Sequence, residues 1–175
     1  VKWYRKAAEQ GYADAQFELG AYYTKGEEVE DKVEAVKWYR KAAEQGLSEA
    51  QYNLSLCYYN GDGVKENKTV AVKWYKKAAE QGLVEAQYNL ALCYDYGEGV
   101  NEDKAEAVKW YRKAAEQGHD SAWLKLGYCL ETGVGVKENK IEAIEWFKKA
   151  AEKGNADAQY NLGICYYVGD GIEKD

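Results

Sequence analysis

Apolar and polar positions alternate along this chain with a helical rhythm that itself repeats. Between Lys68 and Gln81, Ala71, Trp74, Tyr75 and Ala78 fall at steps of three and four, while Lys73, Lys76, Lys77 and Glu80 take the remaining positions. That is the stripe of an amphipathic helix with one buried side. The same stripe returns as Ala35, Trp38, Tyr39, Ala42, as Ala107, Trp110, Tyr111, Ala114, and as Ala143, Trp146, Phe147, Ala150. These segments are called WY helices. Asp31, Asn67, Asp103 and Asn139 stand where an N-cap belongs, and Glu34, Glu106 and Glu142 follow three residues after three of them, as in a capping box. Gly46, Gly82, Gly118 and Gly154 are placed to end the helices in the left-handed conformation.

A second helix is expected after a turn of one or two residues, from about Glu49 to Asn60, and its equivalents are called LG helices. Ala50, Leu54, Cys57 and Tyr58 share one stripe, the face for a WY helix. The register of Gly20, Ser55, Ala91, Gly127 and Gly163 uses only small residues, which implies a close approach of helix backbones. The opposite side carries Tyr52, Leu56 and Tyr59 with Glu49, Asn53 and Asn60 beside them, where a plain surface helix would be polar.

Trp3, Trp38, Trp74, Trp110 and Trp146 are spaced by 35, 36, 36 and 36 residues. A period in that range marks a solenoid, in which each unit is too small to bury its own apolar face and stacks on its neighbours. The predicted fold is all-α: an α/α right-handed superhelical solenoid of about five helix pairs with a 36-residue period. It forms a single array over 1–175, with units near 1–11 (partial), 12–46, 47–82, 83–118, 119–154 and 155–175 (partial). Loops between units read Gly61-Asp62-Gly63-Val64, Gly97-Glu98-Gly99-Val100, Gly133-Val134-Gly135-Val136 and Gly169-Asp170-Gly171-Ile172. No third glycine completes a dinucleotide fingerprint, so these are read as helix terminators. In the first loop Glu28 replaces the second glycine, and a different path is expected there.

Charge and composition narrow the function. A net charge of −6 and a pI near 5.1 argue against a nucleic-acid groove as the main purpose, though not against a local basic patch, and no run of 18 apolar residues exists to span a membrane. The chain opens on Val1 inside a repeat and has no methionine, as expected of a segment of a longer protein. Cys57, Cys93, Cys129 and Cys165 lie 36 residues apart at one equivalent position. Helices pack about 8–10 Å apart, too far for a disulfide between neighbours, so the four are read as small core residues rather than metal ligands. Unpaired thiols lean weakly toward a reduced compartment. His119 is the only histidine, it follows Gly118, and no His-Glu-x-x-His, Ser-x-x-Lys or Walker pattern is present. No catalytic residue, metal or cofactor is expected.

The phrase A-E-A-Q-Y-N-L-x-L-C-Y-x-x-G-x-G-V, followed by E-A-V-K-W-Y-x-K-A-A-E-Q-G, resembles the Sel1-like repeat, a relative of the tetratricopeptide repeat with a longer loop. The resemblance covers essentially the whole chain. It implies an α/α superhelix acting as a protein-interaction scaffold or adaptor, with the LG helices lining its concave surface. A cysteine-rich branch of that family pairs two cysteines within each repeat; here no repeat has more than one. Some relatives have carried a β-lactamase label, which keeps a hydrolase as an alternative, although the serine-lysine spacing is missing. A purely structural spacer is the other alternative.

On the groove reading, a protein or peptide segment is held by Tyr52, Asn53, Leu56, Tyr59 and Asn60, by Tyr88, Asn89 and Leu92, and by Tyr160, Asn161 and Ile164. Asparagine both donates to and accepts from a peptide backbone, and tyrosine and leucine supply apolar contact. The competing reading has the tyrosines and leucines packing on adjacent helices and the asparagines merely solvated. The fourth unit breaks the pattern with Trp123, Leu124, Lys125, Tyr128 and Leu130, either by drift or as a local pocket in which Lys125 meets an acidic group. Rows such as Lys37, Arg40, Lys41 and Lys109, Arg112, Lys113 are read as a solvated face or a surface for an anionic partner. Because Val1 and Asp175 both interrupt a repeat, the end faces are expected to be complementary and to stack copies head to tail.

Overall fold

The computed structural model describes residues 1–25 and 29–169. Among them are ten helices and no strand: α1 Lys2–Glu9, α2 Ala13–Thr24, α3 Val29–Glu44, α4 Ser48–Asn60, α5 Lys68–Glu80, α6 Val84–Tyr96, α7 Lys104–Glu116, α8 Asp120–Thr132, α9 Lys140–Glu152 and α10 Ala156–Val168. The odd-numbered helices are the WY helices and the even-numbered ones the LG helices. The all-helical, helix-pair architecture is the one the 36-residue period predicts. Glu28, Asp170, Gly171, Ile172 and Asp175, on which parts of the loop and end expectations rest, lie outside the described residues.

The chain forms two compact units, one of Val1–Leu90 with Glu98–Val100, the other of Ala91–Gly97 with Asn101–Asp175. In the first, α2 packs on α1 and α3, and α4 packs on α3 and α5. In the second, α8 packs on α7 and α9, and α9 on α10.

Helix ends follow from particular side chains. Asn67, Asp103 and Asn139 each cap a WY helix by accepting from the backbone N–H three residues on, at 3.1, 2.9 and 3.2 Å. The reciprocal half of the capping box is absent at these three caps. The N-cap amides of Asn67, Asp103 and Asn139 donate instead to Tyr58 O, Tyr94 O and Leu130 O of the preceding LG helix. Glu106 and Glu142 are thereby left to accept from the indoles of Trp110 and Trp146, one turn on. Asp31 is not an N-cap at all: α3 begins at Val29 and places it in the first turn. At the other end, Leu83 N–H reaches Ala78 O and Gly82 N–H reaches Ala79 O, with Gly82 at φ +94°, the bonding of a Schellman motif.

The core repeats with the helices. Ala35, Val36, Tyr39, Ala42 and Ala43 of α3 bury against Ala50, Leu54 and Cys57 of α4, while Trp38 joins Ala8, Ala15 and Leu19 on the other side. α3 thus buries two stripes, since it is sandwiched between the LG helices α2 and α4. The small-residue register has a more specific cause than backbone approach. A Cβ on Gly20 would lie 2.5 Å from the Tyr39 ring, and one on Gly127 would lie 2.5 Å from the Phe147 ring. An aromatic ring of the following WY helix therefore lies directly on the LG backbone.

The inter-unit glycines divide two tasks. Gly61 and Gly133 are left-handed C-caps, as expected. A Cβ on Gly63, Gly99 or Gly135 would come within 2.2–2.3 Å of the carbonyl oxygen of Lys32, Lys68 or Lys104, the start of the preceding WY helix. The second glycine lets the loop close onto that helix.

Candidate functional site

Polar side chains stitch neighbouring helices at fixed sequence steps, and they decide which LG residues remain available. Buried Gln16, Gln51 and Gln87 donate to Ala8 O, Ala43 O and Ala79 O, eight residues back, at 3.0–3.2 Å. The side-chain oxygens of Gln16 and Gln51 accept in turn: Gln45 reaches Gln16 at 2.7 Å and Gln81 reaches Gln51 at 2.8 Å. Among the described residues no buried side-chain nitrogen or oxygen lacks a partner.

A second stitch joins the start of three WY helices, α3, α5 and α7, to a carboxylate. Lys32 meets Asp62 at 2.8 Å, and Lys68 meets Glu98 at 2.9 Å. Lys104 meets Asp95 at 3.1 Å, because the loop position equivalent to Asp62 is Val134. Hydrogen bonding to Asp62 raises the Lys32 pKa, and bonds from Tyr59 and Lys68 hold the Glu98 carboxyl below its ordinary value.

Against this frame the expected contact residues separate into two groups. Tyr52 and Tyr59 both lean on Tyr75, with ring centroids 5.9 and 6.3 Å away. Tyr59 also donates to Glu98, and Lys68 lies 4.8 Å from the centre of its ring. Burial pushes the Tyr52 hydroxyl pKa up. Asn89 donates to that hydroxyl at 3.2 Å and to Glu85 O at 2.9 Å. Asn161 donates to the Tyr128 hydroxyl at 2.7 Å, and Tyr128 packs edge-on against Phe147. Asn89 and Asn161 are thus more than solvated, and Tyr52, Tyr59 and Tyr128 pack on the following WY helix. Tyr88 and Leu92 are half-buried; Tyr160 and Ile164 are exposed.

Asn53, Leu56 and Asn60 are brought together. They line one cavity of about 310 Å³ in the first unit, with Thr24, Lys32, Tyr39 and Asp62 among its other walls. Asn53 donates to Glu49 O at 2.8 Å, and its Oδ1 has no hydrogen-bond donor among the described residues. The sequence pattern did not single out Thr24, Lys32, Tyr39 and Asp62. Its available signal was Thr24 itself, which stands in the register of Tyr59.

The remaining candidates are engaged elsewhere. Lys125 donates to the Tyr96 hydroxyl at 2.8 Å and lies 5.3 Å from the centre of that ring. In the basic rows, Lys37 pairs with Glu34, Lys109 with Glu106 and Arg112 with Glu142. Arg40 donates to the Tyr58 hydroxyl, while Lys41 and Lys113 lie over Trp38 and Trp110 at 4.1 and 4.0 Å. Most of that charge is balanced or stacked in place. None of the four cysteines is in a disulfide. His119 caps α8, its Nδ1 accepting from Ala122 N–H at 3.3 Å. Among the described residues no three His, Cys, Asp or Glu side chains are grouped to hold a metal ion, and no helix is long and apolar enough to cross a membrane.

The Sel1 repeat family model matches residues 1–12, 13–47, 48–83, 84–119, 122–155 and 156–175. The chain belongs to the Sel1 repeat family. Sel1 repeat proteins are generally non-catalytic scaffolds for protein interaction. Among solved structures, this Sel1 repeat chain is similar to c5321, a protective antigen present in uropathogenic Escherichia coli strains that displays an SLR fold. The two share 43% identity with a TM-score of 0.93, over 99% of this chain and 38% of that one. A Sel1 repeat protein from Oxalobacter formigenes is 41% identical with a TM-score of 0.87, over 95% of this chain and 69% of that one. Helicobacter pylori cysteine rich protein B is 28% identical with a TM-score of 0.60, over 78% and 98%. No curated protein matches the chain.

Proposed function

We propose that this chain is a non-catalytic interaction module, a single repeat array that binds an extended segment of a partner protein on its LG-helix faces. The observation that carries the proposal is the first-unit cavity. It is lined by Asn53, Leu56 and Asn60, three of the side chains whose positions on the outer LG stripe called for explanation. Its volume of about 310 Å³ lies at the low end of the ~300–1,000 Å³ range of ligand pockets, room enough for one large side chain. Asn53 Oδ1 is an acceptor suited to a peptide N–H.

The test is selection of peptides from a random displayed library, followed by affinity measurement against a variant with Asn53, Asn89 and Asn161 all changed to alanine. Helical circular dichroism is expected to persist, because these amides bond at half-buried or exposed positions. Affinity is expected to fall at least about tenfold, the equivalent of one or two hydrogen bonds. Unchanged affinity removes the asparagines from the site, and a library that yields no binder supports the spacer reading.

Self-association is a second proposal, favoured by Trp3, which is 75% exposed where its counterpart Trp38 is 8% exposed. Light scattering should show mass rising with concentration and falling in a Trp3→Ser variant; a constant monomeric mass at millimolar protein excludes it.

A further inference from the structure

The repeat supplies its own template for what the first-unit cavity lacks. In the second repeat, Tyr59 at the end of α4 fills the space between two neighbours. Its ring meets Tyr75 edge-on at 6.3 Å, Lys68 lies 4.8 Å from the ring centre, and its hydroxyl donates to Glu98. One repeat earlier, the surrounding groups recur as Tyr39, Lys32 and Asp62, with Lys32 and Asp62 again paired at 2.8 Å. The tyrosine does not recur. Thr24 stands in its place, its hydroxyl 2.9 Å from the Tyr39 hydroxyl and 2.8 Å from Gly20 O. Where the ring would be, the cavity opens, lined by Thr24, Lys32, Tyr39, Asn53, Leu56 and Asp62.

We infer that this cavity is an acceptor site for the side chain of a tyrosine carried by the partner segment. The inference rests on the peptide-binding reading of the LG-helix face and adds the chemistry of one anchor residue. The apolar walls, Leu56 and the Tyr39 ring, suit an aromatic ring. The Lys32 ammonium can lie on the face of that ring as Lys68 lies by Tyr59. The Asp62 carboxylate can accept the phenol O–H as Glu98 does, in a charge-assisted hydrogen bond.

The third repeat shows why a carboxylate ligand fits less well. There Asp95 holds the register of Thr24 and Tyr59, pairs with Lys104 at 3.1 Å and accepts from Tyr111 at 2.9 Å. That arrangement goes with Val134 where Asp62 and Glu98 stand, so the loop supplies no acid at that position, and the other acid near Lys104 is the exposed Glu102, 3.6 Å away. In the first unit Asp62 already neutralises Lys32, and a carboxylate or phosphate entering beside it would meet like charge. A neutral phenol keeps the pair intact.

The experiment is a titration of the isotope-labelled chain with N-acetyl-tyrosinamide, followed in amide spectra. Saturable shifts are expected at Thr24, Tyr39, Leu56 and Asp62. The phenylalanine analogue should bind at least about threefold more weakly, and the alanine, aspartate and phosphotyrosine analogues should give no saturable shift. Two variants sharpen it. Thr24→Tyr places the missing ring within the chain and should weaken tyrosinamide binding at least tenfold while raising Tm. Asp62→Asn should remove the preference for tyrosine over phenylalanine without removing binding of either. Equal shifts with the alanine analogue, shifts centred elsewhere, or full binding by a folded Thr24→Tyr variant overturns the site.

The peptide library separates this site from the broader reading. Peptides selected on the unmodified chain should be enriched in tyrosine and lost on Thr24→Tyr. Binders without aromatic residues, sensitive to the triple asparagine variant but not to Thr24→Tyr, end the tyrosine site and leave the peptide-binding reading. Saturation by tyrosinamide with no peptide binder does the reverse.

Discussion

Helices α4 and α8 occupy the same place in their repeats and keep their neighbours by different bonds. In α4, Gln51 donates to Ala43 O at 3.1 Å and accepts from Gln81 at 2.8 Å. In α8, the indole of Trp123 donates to Ala115 O at 2.8 Å, across the same step of eight residues. An indole has no acceptor, and the register of Gln81 is Lys153 in the repeat that follows Trp123. Tyr58 of α4 accepts from Arg40; Leu130 of α8 has no hydroxyl, and Arg112 pairs with Glu142 instead. Lys125, the residue that most suggested a separate pocket, is held by Tyr96. The departures of α8 from the repeat therefore come in matched sets that keep a helix pair bonded. At Thr24, by contrast, the break in the repeat pattern leaves a space behind it.

The largest difference between the two helices should appear on truncation. Trp123→Ala removes a buried ring and a buried donor together, with an expected loss of about 3–5 kcal/mol in urea unfolding. Gln51→Ala leaves the Ala43 carbonyl without its side-chain donor but removes no ring, and should cost about 1–3 kcal/mol. Equal losses would show that the hydrogen bond, not the ring, dominates both. Next come the residues over which an aromatic ring lies. Gly127→Ala pushes a Cβ into the Phe147 ring, for about 1–3 kcal/mol of overpacking. Ser55→Ala, at the same register but already accommodating a side chain, should stay within about 1 kcal/mol. The smallest effect concerns the thiols. Burial pushes the Cys57 thiol up to about 11, and the half-buried Cys129 thiol is raised as well. The native state therefore holds the Cys57 proton more tightly than the unfolded chain does. The stability this gives is complete below the ordinary thiol value of about 8.5 and disappears as pH rises toward 11. At pH 8 an aromatic disulfide reagent should modify Cys129 before Cys57; the opposite order would contradict this difference in burial.

Much of the framework was legible in the residue pattern. The stripes around Trp38, Tyr39 and Ala42, the glycines at 46, 82, 118 and 154, and the N-caps Asn67, Asp103 and Asn139 all stand where spacing puts them. Asp31 misled because a cap is a conformation as well as a residue type, and α3 starts earlier than its counterparts. Glu106 and Glu142 had the spacing of a capping box, but the amides they would have met already donate to the preceding LG helix. The outer LG stripe was recognised as unusual without showing which residues were occupied: Tyr52 and Tyr59 are committed to packing, whereas Asn53, Leu56 and Asn60 open on a cavity.

Helix type and helix ends depend on contacts three to five residues apart, and those are written directly in a 36-residue phrase. Which polar group meets which across 18, 30 or 37 residues is set by where one helix sits on another. Thr24 and Tyr59 are alike as polar side chains near a helix end, yet one fills the space over a buried tyrosine and the other leaves it open. That difference in volume exists only once the helices have packed around it.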